Sequence, residues 1–170
     1  MTDSELTIRG KYAFFWAGWP SNWHSSKFII DGKTYGCVEQ WMMWSKAEFF
    51  GDKHAEKLIL GTSSPKDQKK YGRAVKGYDD ARWSSARYAI VLHGVIEKYR
   101  QNPDLKKLLF ANDYTYVEAS PYDTVWGIGL SASDPDATSP SKWRGQNLLG
   151  KATTEARRTL LTEDPSTLIQ

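Results

Sequence analysis

Only one cysteine, Cys37, occurs in the 170 residues, which excludes an internal disulfide framework. The three histidines, His24, His54 and His93, are scattered without ligand spacing, so no metal is expected, zinc included. No apolar run is long enough to cross a bilayer, so no membrane partner is expected. The first ten residues, MTDSELTIRG, have neither a basic start nor an apolar stretch, so the expectation is no signal peptide and a cytoplasmic location. Internal repeats and inter-domain linkers are also lacking. The expectation is one domain over residues 1–170, with a core from about 12 to 162 and a loose tail from Glu163. An excess of one charge is missing too. A net charge of +3 suits a phosphorylated small molecule and does not call for nucleic acid.

What is abundant is tryptophan, eight residues in all, most of which must be core in a chain of 40% hydrophobic and 25% charged residues. A surplus of indoles is also a weak sign of an aromatic ligand, because a flat ring stacks well on them.

Asp31-Gly32 in KFIIDGKTY marks a hairpin between two short strands. A helix follows in YGCVEQWMMWSKAEFF, interrupted by Gly51. A second helix is expected from Asp52 to Leu60, closed by Gly61, and a third from Ser64-Pro65. The longest begins at Asp79 or Asp80 and stops before Pro103. YTYVEAS and TVWGIGL read as two strands or extended segments meeting at a turn. Residues 131–142 read as a flexible surface loop, and Asn147 caps a last helix. Helices dominate and a few strands assist, which predicts an α+β fold: mostly helical, with a small hairpin or sheet.

Several charges lie on apolar patterns. Glu39 and Lys46 are seven residues apart, so they share the helix face of Met42, Met43 and Phe50. Either the tips reach solvent, as Lys does readily, or each has a partner or a cavity elsewhere. Arg87 shares a stripe with Trp83, Ile90 and Gly94; a buried ion pair, with Glu39 for instance, competes with a ligand role. Glu118 stands in an apolar strand pattern and Asp123 in the following turn, where an edge carboxylate and a turn-making side chain are the plainer readings. Lys66, Lys69, Lys70 and Lys76 read as a solvated helix face, with Arg73 left open. Cys37 has no histidine placed to activate it and reads as core. WGIGL lacks the Gly-Lys-Ser/Thr of a phosphate loop.

The ordered set SNW, FIIDGKTYGCVEQWMMWSKA, GR, W, R, VEASPYDTVWGIGL and NLLGKA resembles the NADAR, or YbiA-like, family over roughly residues 14–161. Gln40 departs from the pattern, since a Glu-His pair is common there. The resemblance implies a compact, helix-rich single domain. It also implies an enzyme, a hydrolase of N-glycosyl bonds. Its substrate would be a phosphoribosylaminouracil of riboflavin biosynthesis or ADP-ribose on guanine, and nucleic acid would enter only as such an ADP-ribosylated substrate. A non-catalytic sensor of ADP-ribose or a related nucleotide is the alternative. No cofactor is implied. On this reading Glu39, Lys46 and Asp123 are catalytic, and Trp83, Arg87, Glu118, Trp126, Gly127 and Asn147 bind substrate. Glu39, Lys46, Arg87, Glu118 and Asp123 are expected to line one cleft, with Trp126 at its wall.

Overall fold

The computed structural model describes residues 6–164 and is α+β. The chain forms two compact units, one from Asn22–Asn102 and one from the segments before and after it. None of the described helices is long and apolar enough to cross a membrane.

In the flanking unit, strands β1 (Thr7–Arg9) and β2 (Tyr12–Phe15) form an antiparallel pair around Gly10, whose φ of 61° suits a tight turn. In the central unit, β3 (Phe28–Ile30) and β4 (Lys33–Tyr35) make the expected hairpin. Asp31 and Gly32 both have positive φ, 49° and 76°, as a two-residue turn of matching twist requires. Phe28 and Tyr35 face each other in register and are buried.

Helix α1 (Val38–Phe49) is the core of the central unit, packed by α2 (Lys53–Leu60), α3 (Pro65–Arg73) and α4 (Asp80–Gln101). Asp52, Ser64 and Asp79 cap those three with side-chain oxygens, which satisfies N–H groups that the helices cannot. Two glycines let neighbours come close. A Cβ on Gly72 of α3 would overlap Met43, and one on Gly94 of α4 would overlap the Trp41 indole. Trp41 then donates its Nε1–H to the Ile90 carbonyl at 2.8 Å. The end of α4 returns to the hairpin. The Gln101 side-chain amide accepts from the Ile29 N–H and donates to the Ile29 carbonyl, both at 2.8 Å, as a strand would.

Beyond α4 the flanking unit resumes with α5 (Pro103–Phe110), β5 (Thr115–Glu118) and α6 (Leu148–Glu163). Strand β5 lies parallel to β2, with Phe14 opposite Val117 and Phe15 opposite Glu118, and α6 packs on it. Phe14, Val117, Ala119, Ile128, Leu130 and Ala137 form the core here.

The structure differs from the sequence reading in four places. Strands β1 and β2 and helix α5 were not anticipated. TVWGIGL is not a strand. Its backbone bonds go instead to the end of β5, to the Asp123 turn and to the start of α6, as in Ile128 N–H to the Glu118 carbonyl at 2.9 Å, Gly129 N–H to the Asp123 carbonyl at 3.2 Å and Leu149 N–H to the Trp126 carbonyl at 3.1 Å. Residues 131–142 hold two 3-10 turns, Pro135–Thr138 and Pro140–Lys142. Ala137 is buried there, and Arg9 donates to the carbonyls of Ala132 and Asp134 at 2.8 and 2.9 Å. Helix α6 continues through Glu163, and the rest of the tail falls at 165–170, outside the described residues.

Candidate active site

The residues singled out from the sequence fall into two groups: Glu39, Lys46, Trp83 and Arg87 in the central unit, and Glu118, Asp123, Trp126, Gly127 and Asn147 in the flanking unit.

Glu39 is 4% exposed in the first turn of α1, where the positive end of the helix favours a carboxylate. Its N–H donates to the Asn22 carbonyl at 3.0 Å, which ties this turn to a residue that is itself buried. The Asn22 Oδ1 atom is buried without a hydrogen-bond partner. Gln40, beside Glu39, is structural: it accepts from the Gly36 N–H at 2.7 Å and donates to the Ile59 carbonyl at 3.0 Å.

Lys46 is half-buried, its Nζ 4.5 Å from the centre of the Tyr78 ring. Burial holds its pKa below the ordinary lysine value. The carboxylate of Glu39 opposes that shift, Arg73 adds to it, and Asp80 opposes it. The two α1 charges therefore act on one another, although two turns separate them. Tyr78 donates its hydroxyl to Asp80 Oδ1 at 2.7 Å. That hydrogen bond raises the phenol pKa, and the Arg87 charge opposes the rise. The Nε of Arg87 is buried with no hydrogen-bond partner. Trp83 is a core residue. It is buried, its ring packed on Phe49 and Phe50 with centroids 5.9 and 6.5 Å away, which leaves it poorly placed to stack on a ligand.

In the flanking unit Asp123 makes the turn. Its Oδ1 accepts from the N–H groups of Val125 and Trp126, both at 2.8 Å. Neither bond uses Oδ2. Glu118 ends β5, half-buried, with its N–H donated to Asn147 Oδ1 at 2.9 Å. Gly127 is required by packing, because a Cβ there would meet the carbonyls of Glu118 and Asp123 at 2.9 and 3.0 Å.

Asn147 stands before α6 in the left-handed region, φ 53°, and its side chain does not cap the helix. The amide bridges β5, accepting from the Glu118 N–H and donating to the Tyr116 carbonyl at 3.2 Å. The N–H groups of Asn147, Leu148 and Leu149 donate to the carbonyls of Gly127, Val125 and Trp126. Three of the donors at this helix start are thus already used, and Asn147 holds the Glu118 backbone.

Sequence reasoning passed over Asn22, Tyr78 and Lys98. Lys98 lies on the apolar stripe of α4, four residues after Gly94, and that spacing was the available signal. Burial pushes its pKa down to about 7, with Cys37 opposing. Cys37 itself is buried and donates its thiol to Gln68 Oε1 at 3.3 Å.

Residues 14–161 match a family model described as the NADAR domain. The chain is 42% identical over 124 residues to a protein named N-glycosidase R617 of Acanthamoeba polyphaga mimivirus, a match covering 72% of this chain and 73% of that protein. It is 34% identical over 131 residues to Protein irg-1 of Caenorhabditis elegans, covering 75% of this chain and 62%, under two thirds, of the other. Among solved structures it is similar to the Escherichia coli protein YbiA, with a TM-score of 0.75 at 23% identity, covering 95% of this chain and 91% of that one. At that identity the likeness is one of fold.

Proposed function

The chain belongs to the NADAR domain family, and from that premise we propose that it is an N-glycosidase that hydrolyses a ribosyl C–N bond. Its substrates are N-ribosides bearing phosphate, such as a phosphoribosylaminouracil of riboflavin biosynthesis or ADP-ribose carried on guanine. The observation that carries the reading is the presence on one helix, α1, of a buried carboxylate, Glu39, and a half-buried lysine, Lys46.

Breaking the C–N bond leaves the electron pair on the departing nitrogen and builds positive charge on the sugar. Glu39 stabilises that charge and takes the proton of the water that adds to the anomeric carbon. The departing nitrogen gains a proton from a relayed water. Lys46 and Arg87 neutralise phosphate and orient the carboxylate; Arg87 offers the fork and Lys46 a point charge.

The test is to incubate the protein with both substrate types and measure free base by chromatography. Release of base by the wild type and its loss in Glu39→Gln support the reading. Tight binding of ADP-ribose with no base released from either substrate would make the protein a nucleotide sensor instead.

A further inference from the structure

Trp16 and Tyr122 are the most exposed large apolar side chains among the described residues, at 55% and 84%. They also touch. Their ring centroids lie 5.7 Å apart and the planes are tilted by 50°. Single surface aromatics are ordinary; two adjoining ones offer a continuous aromatic surface to water.

Their position in the flanking unit gives them a specific neighbourhood. Trp16 directly follows Phe15, which stands opposite Glu118 in the β2–β5 pairing, and the Ala119 N–H donates to the Phe15 carbonyl at 2.7 Å. Tyr122 directly precedes Asp123, and the N–H groups of both donate to Ser120 Oγ, at 3.3 and 3.2 Å. Two backbone devices therefore fix the chain positions of the aromatic pair next to those of Glu118 and Asp123. Aromatic faces take a planar ring of any identity. Carboxylates take ring N–H groups, because they only accept hydrogen bonds.

We propose that Trp16 and Tyr122 form a stacking platform for a heterocyclic base, a planar ring rich in N–H donors. This rests on the N-glycosidase reading, whose substrates carry such a base.

The full-length protein and its Trp16→Ala, Trp16→Phe and Tyr122→Ala variants are titrated by calorimetry with guanosine 5′-monophosphate, uridine 5′-monophosphate and ribose 5-phosphate. The two exposed side chains contribute little to the core, so melting temperatures should stay near wild type. Wild type should bind at least one nucleotide more tightly than the sugar phosphate. Each alanine variant should weaken that binding roughly 5- to 100-fold and leave ribose 5-phosphate unchanged, with Trp16→Phe largely retaining it. Equal losses for nucleotide and sugar phosphate, no loss for either, or no preference for nucleotide in the wild type would overturn the platform. Hydrolysis assayed on the same samples separates the two ideas. Base release with nucleotide affinity indifferent to Trp16 removes the platform alone. Affinity that depends on Trp16, with no N-riboside cleaved, removes the glycosidase reading alone.

Discussion

The Trp41 indole fills the volume that a Cβ on Gly94 would need, so α1 and α4 meet through a missing side chain. Gly94→Ala improves helix propensity by about 1 kcal/mol, but it forces a rigid ring off its hydrogen bond to Ile90. The expected result is a net loss of roughly 1–3 kcal/mol in urea unfolding. Gly72→Ala meets the flexible Met43 instead and should cost less. Equal stability of Gly94→Ala and wild type would refute the tight-contact account.

Glu39→Gln keeps the shape of the side chain and loses its charge. Turnover should fall on the order of 10²- to 10³-fold, with substrate affinity changed far less. Steady-state kinetics and a binding titration measure the two. Near wild-type turnover would remove Glu39 as the reacting carboxylate.

Lys46→Arg distinguishes two ways of using the lysine. Direct hydrolysis keeps partial activity, because the positive charge remains. A Schiff base between Lys46 and the ring-opened sugar tolerates no such change, since a guanidinium forms none. Borohydride added during turnover, followed by mass spectrometry, should leave the wild-type lysine unmodified. A sugar adduct on Lys46 would show the covalent route.

Asn147 holds β5 by two hydrogen bonds, so Asn147→Gly is informative. Glycine keeps the left-handed backbone and removes only the amide, leaving the Glu118 N–H and the Tyr116 carbonyl without it. The expected cost is roughly 1–3 kcal/mol by chemical denaturation. Asn147→Asp should be worse, because a carboxylate would face the Tyr116 carbonyl that Nδ2 now satisfies. If Asn147→Gly were as stable as wild type, the bridge would contribute nothing.

Lys98 makes stability depend on pH in a defined direction. Burial lowers its folded-state pKa from 10.5 to about 7. Below that value both states are protonated. Between the two values the unfolded chain binds the proton more than the folded one, so this contribution to stability increases as pH rises. Melting temperatures of wild type and Lys98→Met between about pH 6.5 and 8.5 should show a rising difference in favour of wild type as pH increases. Parallel curves would contradict a proton-releasing Lys98.

Legibility in the sequence followed the range of the interactions. The β3–β4 turn and the caps Asp52, Ser64 and Asp79 depend on residues a few positions apart, and they stand where the pattern places them. Pro103 was read as a stop after α4. It also starts α5, since a residue without an N–H is as suitable for the first helical turn as for a break. TVWGIGL has the composition of a strand, but its hydrogen-bond partners lie on a side chain of the turn and on the approach to α6, which composition does not encode. Glu39 and Lys46 were visible as charges on an apolar face. The nearness of Tyr78 and Arg73 to Lys46 was not, because it arises from how α3 and α4 pack on α1.

Gln101 joins the last turn of α4 to β3 across 72 residues, and Asn102 donates to the Lys27 carbonyl across 75. The central unit therefore closes on itself near both of its ends. A closed loop of this kind behaves as a module: its entry and exit stay neighbours whatever length of chain is joined outside them. Changes of length elsewhere in the protein can accumulate without stretching α1, and with it Glu39 and Lys46 keep their spacing.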